Sequence, residues 1–88
     1  MKNRLSKFYI VLEPLNAKDN AIIIEFKVFN KRREKTLEDT LENALKQIED
    51  KKYDAQLLAN GITKERIRKY GFAFKGKEVL IGCNGSDC

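Results

Sequence analysis

Apolar positions cluster in this chain with two different periods. The first strand signal is the run Phe8 to Leu12 within residues 5–13, stopped by Pro14, which has no amide to give a ladder. Asn16, Asp19 and Asn20 supply turn residues before a second and stronger run, Ala21 to Phe29. The short connection predicts an antiparallel hairpin. In the second run, alternation sends Ile22, Ile24, Phe26 and Val28 one way and Ile23, Glu25, Lys27 and Phe29 the other. So apolar a strand is expected at the centre of a sheet, covered on both faces. From Thr36 to Lys51 the period changes to that of a helix. Leu37, Leu41, Ala44, Leu45 and Ile48 form its apolar stripe, and Thr36-x-x-Asp39 is a capping signature. Gln47 lies at the edge of that stripe.

A short helix is expected over Tyr53 to Ala59, stopped by Asn60-Gly61, and another from Thr63 to Tyr70, broken by Gly71. Phe72-Ala73-Phe74 and Glu78 to Ile81, around Lys75-Gly76-Lys77, predict a terminal hairpin. This order gives one α+β domain over residues 1–82, with a mixed sheet of about four strands, one long helix and short helical pieces. Residues 83–88 are expected to be a flexible tail, with Cys83 and Cys88 reduced.

Composition narrows the chemistry. The chain has 88 residues, 42% hydrophobic and 35% charged, and these proportions suit a small soluble domain. No apolar run approaches a membrane span and no secretory signal pattern opens the chain, so a cytoplasmic protein is expected. There is no histidine, which removes histidine-based nucleophilic catalysis and leaves two cysteines short of a zinc site. The net charge of +5 favours a polyanionic partner. Lys31-Arg32-Arg33-Glu34-Lys35, just past the second strand, is either a solvated loop or a phosphate contact.

Glu25 and Lys27 are neighbours on one face of a core strand, where charges are costly unless they pair or coordinate something. One use of Glu-x-Lys is phosphodiester hydrolysis: the carboxylate and the intervening carbonyl, here of Phe26, hold a divalent metal while the lysine orients water or phosphate. Ile23-Ile24-Glu25-Phe26-Lys27 resembles the third motif of the PD-(D/E)XK nuclease superfamily. Downstream, Thr36-Leu37-Glu38-Asp39, Ala44 to Glu49, Lys51 to Ala55, and Lys69-Tyr70-Gly71-Phe72-Ala73-Phe74 resemble its nuclease-like branch found C-terminally in bacterial and archaeal AAA-ATPase-like proteins. The resemblance covers about residues 6–82. It implies a restriction-endonuclease-like core, catalytic roles for Glu25, Lys27 and Gln47, metal ligation by Glu25 and Phe26, and Mg²⁺ or Mn²⁺ as cofactor. Tyr53, six residues after Gln47, loosely echoes a Gln/Tyr pair of related nucleases.

Two departures from the family pattern stand out. The preceding strand in the family reads roughly Gly-Arg-x-Asp-Ile, and its aspartate is the second carboxylate. Here Ser6-Lys7-Phe8-Tyr9-Ile10 places Tyr9 at that position, and a phenol with pKa about 10 is neutral at pH 7. Glu13, on the same strand face, is about 13 Å further along by strand rise. The chain also begins too late for the family's upstream helix and strand, so an N-terminally truncated core with an open sheet edge is expected. Such an edge invites a homodimer. Two functions follow: metal-dependent DNA hydrolysis, or a degenerate module that binds nucleic acid or a protein partner. Lys31, Arg32, Arg33, Lys35, Arg66 and Lys69 are the expected phosphate contacts.

Overall fold

The computed structural model describes residues 2–5 and 9–83. Five strands form one sheet in sequence order: β1 (Lys2–Leu5), β2 (Tyr9–Glu13), β3 (Ala21–Val28), β4 (Ile67–Lys75) and β5 (Glu78–Cys83). Helix α1 (Leu37–Lys51), the short α2 (Ala55–Ala59) and a 3₁₀ turn, Lys64–Arg66, connect β3 to β4. All neighbouring strands pair antiparallel except β3 and β4, which are parallel because the helical segment carries the chain back across. The α+β fold with a mixed sheet is as expected from the sequence. Among the described residues no helix is long and apolar enough to cross a membrane.

β1 pairs along β2 from Lys2↔Glu13 to Leu5↔Ile10, so the edge strands of the open sheet are β1 and β5. Two expectations are corrected. Residues 67–70 are strand and not helix. Gly71 breaks nothing but sits mid-strand in β4. Cys83 closes β5; Cys88, the other cysteine of the expected reduced tail, lies outside the described residues. Finally, β3 is central but covered on one face. Helix α1 packs over Glu25's side, burying Ala21, Ile23 and Glu25 completely. The opposite side carries the half-buried Phe26, Phe72 and Phe74, with ring centroids 5.4 to 6.4 Å apart, beside exposed Val28, Val79 and Ile81.

Local chemistry explains how the helix is set. The Thr36 hydroxyl accepts from the Asp39 amide at 3.2 Å, and the Asp39 carboxylate accepts from the amides of Thr36 and Lys35 at 3.1 and 2.9 Å. This reciprocal cap starts α1 at a fixed point. The helix lies close because Gly71 and Gly82, paired across β4 and β5, leave room for Leu41. A Cβ at either glycine would fall 2.9 or 2.7 Å from a Leu41 methyl. Val11, Ala21, Ile23, Ile48, Leu57, Ile62 and Ile67 form the core, with Tyr9, Leu45 and Tyr53 packed against it.

Candidate active site

The close approach of α1 brings three sequence-predicted residues together. Glu25, Lys27 and Gln47, with Val28, line one cavity of about 280 Å³. Glu25 and Lys27 reach it because they share a strand face, and Gln47 because it sits one turn before the helix end on the sheet side.

Glu25 is fully buried, and its hydrogen-bonding partner is Tyr53, whose hydroxyl donates to Oε1 at 3.1 Å. Its Oε2 is buried with no hydrogen-bonding partner. Burial pushes the Glu25 carboxyl above the ordinary glutamate range, although the Tyr53 hydroxyl, the Lys27 charge and the Phe26 amide each favour the charged form. Phe26 thus contributes its amide towards this carboxylate. Its ring stands on the opposite face of the sheet, among Phe72 and Phe74.

Tyr53 arrives by a backbone reversal. Helix α1 ends at Lys51, and Lys52 takes the left-handed conformation at φ 52°, turning the next residue back under the helix. The six-residue separation from Gln47 therefore does not follow helical spacing. Gln47 nevertheless hydrogen-bonds the Tyr53 hydroxyl and favours its ionisation; burial and the Glu25 charge outweigh that, and Tyr53 is pushed up to about 12. Tyr9 lies against the other side of this phenol, the rings parallel within 10° and 3.8 Å apart. Tyr9 is also the residue directly opposite Glu25 in the β2–β3 ladder. The place beside Glu25 is thus filled by an aromatic pair.

Lys27 interacts electrostatically with two carboxylates, Glu25 and Glu34. Glu34 was read in the sequence as one residue of a basic loop, yet it is buried. It accepts from the Asn30 amide at 2.8 Å, the Thr40 hydroxyl at 2.8 Å and the Asn43 side-chain amide at 2.7 Å. Burial acts to raise its pKa, but these donors and the Lys27 charge prevail and hold it below the ordinary range. The clue available in sequence was the pair Thr40 and Asn43, one helical turn apart on α1.

The six expected phosphate contacts separate in space. Lys31, Arg32, Arg33 and Lys35 are exposed on the loop beyond β3. Lys69 has an 11% exposed side chain and bridges Glu49 at 3.0 Å and Asp54 at 3.1 Å. Arg66 donates to the Lys18 carbonyl, next to the opposite end of the β3–β4 ladder from Lys27. Glu13 accepts from Asn60 at 2.6 Å and is not part of the cavity.

A match to the PD-(D/E)XK nuclease superfamily extends over residues 8–83. The chain belongs to this superfamily. No curated protein and no solved structure matches it. Nucleases of this superfamily usually use Mg²⁺ or Mn²⁺, so the donors require comparison with that need. Among the described residues no three acidic or sulfur side chains gather to hold a metal. Glu25 offers one free oxygen, on a carboxyl whose burial favours the neutral form, and its cross-strand neighbour is a phenol. A hard divalent ion prefers charged oxygen ligands. These residues do not fit a resident Mg²⁺.

Proposed function

We propose that this domain holds the phosphate backbone of nucleic acid at the superfamily's active-site position and does not by itself cleave it. The observation that carries this reading is Tyr9, in register with Glu25 and stacked on Tyr53, where the family places its second carboxylate. The residues that would grip phosphate remain: Lys27 in the cavity and the exposed Lys31, Arg32, Arg33 and Lys35 beside it. Lysine and arginine bind phosphate by charge and by their N–H donors without any requirement for metal. DNA is the expected polyanion.

The test combines binding and cleavage on the whole chain. Labelled duplex DNA should bind with an affinity that falls steeply between about 50 and 200 mM salt, and supercoiled plasmid should stay intact in Mg²⁺ or Mn²⁺. Nicking that Lys27→Ala abolishes, or binding insensitive to salt, would contradict the proposal.

A further inference from the structure

Beyond the Glu25–Lys27 cavity, the ends of β3 and β4 frame a second concavity. The Phe29 amide donates to the Phe74 carbonyl at 2.7 Å, carrying the ladder one step past Val28 and placing Phe29 beside Lys75. The Lys75 ammonium lies 4.6 Å from the centroid of the Phe29 ring, an attraction that limits where this long side chain can point. Val28, Phe29, Asn30, Lys31, Arg32 and Lys75 line a space of about 570 Å³. Three of these six residues are cations, and none of the lining residues described is acidic. Val28 also lines the Glu25–Lys27 cavity, so the two concavities adjoin.

The loop that supplies Lys31 and Arg32 is a built turn. The Asn30 side-chain oxygen accepts from the Arg32 amide at 3.0 Å, and its carbonyl accepts from the amides of Arg33 and Glu34 at 3.0 and 2.8 Å. Glu34 closes the turn by accepting from the Asn30 amide. The acid of the loop is thereby directed inward to Thr40 and Asn43, while Lys31 and Arg32 remain exposed.

We propose that this concavity is a second phosphate subsite, in which Lys31, Arg32 and Lys75 hold the backbone of the nucleic-acid strand engaged at Lys27. The inference rests on the nucleic-acid reading above and adds Lys75 and Phe29 to it. Two residues of strand separate Lys27 from Phe29, about 7 Å, and Val28 lines both cavities, so one backbone can engage both.

The experiment measures binding of a labelled single-stranded 20-mer by anisotropy across a salt series, with the whole chain. Lys75→Gln should flatten the slope of log K against log salt by about 0.7, and Lys75→Gln with Lys31→Gln and Arg32→Gln by about 2. Phe29→Leu should give part of the Lys75→Gln effect, and Lys64→Gln, on the distant 3₁₀ turn, should leave the slope unchanged. Circular dichroism establishes that each variant is folded. A slope for Lys75→Gln equal to that of Lys64→Gln overturns the subsite. So does a Lys75→Gln defect seen with inorganic tripolyphosphate but not with the 20-mer. Loss of affinity with Lys27→Gln but not with Lys75→Gln removes the subsite and leaves the primary reading standing. Failure of the wild-type chain to bind the 20-mer removes the subsite, and failure to bind duplex DNA as well removes the primary reading.

Discussion

Tyr9 stands directly across the β2–β3 ladder from Glu25, and its ring lies flat against Tyr53, the residue that hydrogen-bonds Glu25. The phenol at position 9 thus does two things. It brings no charge beside Glu25, and with Tyr53 it fills that side with stacked rings next to the buried carboxylate. A buried carboxylate with one oxygen unpartnered is destabilising. The neighbouring Tyr53 hydroxyl and Lys27 charge limit that cost without abolishing it.

The two buried glutamates should respond to pH in opposite senses. Glu25 has a raised pKa in the folded chain, so the unfolded chain ionises first and stability falls as pH rises from about the ordinary glutamate value through the folded one. Glu34 has a lowered pKa, so its contribution is complete above the ordinary glutamate value and is lost as pH falls through the folded one. Urea unfolding from pH 3 to 8 should show Glu25→Gln gaining relative to wild type as pH rises. Glu34→Gln should lose relative to wild type over the same rise. Parallel trends for the two variants would contradict these assignments.

Tyr53→Phe keeps the stacked ring and removes the donor to Glu25 Oε1. It should cost about 1–3 kcal/mol, the penalty for leaving a buried acceptor unpaired. The cost should shrink in a Glu25→Leu background, with a coupling of at least about 0.5 kcal/mol. Additive effects in that double-mutant cycle would show that the hydrogen bond contributes nothing.

The glycine pair under α1 predicts a steric effect. Gly82→Val places a branched side chain where a Cβ alone would come 2.7 Å from a Leu41 methyl, and should destabilise by about 1–3 kcal/mol. Leu41→Ala in the same chain should recover part of that loss. Thermal melts of the two variants test it, and no recovery would place the strain elsewhere.

Much of this arrangement is legible in the sequence where the controlling interactions are local. Thr36 and Asp39 announce the helix start because a capping box needs residues three apart. The alternation in Ala21 to Val28 fixes which side chains share Glu25's face. Residues 67–70 mislead because Arg68 and Lys69 interrupt the apolar alternation. Lys69 is accommodated in a strand by Glu49 and Asp54, 20 and 15 residues away. Gly71 suggests a break until Leu41 is seen above it. Glu34 reads as a solvated loop residue unless Thr40 and Asn43, its donors from the next element, are taken together with it. Tyr53 reaches the site only through the left-handed turn at Lys52, which no periodicity predicts.

Calorimetric titration with Mn²⁺ decides whether Tyr9 occupies the position of a second metal-binding carboxylate. Tyr9→Asp should bind Mn²⁺ at least roughly tenfold more tightly than wild type, since even residues that only orient a ligand carry that much affinity. Tyr9→Asn, similar in size to Tyr9→Asp but uncharged, should behave like wild type. Wild-type protein that already binds Mn²⁺ as tightly as Tyr9→Asp would show that the phenol does not stand in place of a ligand.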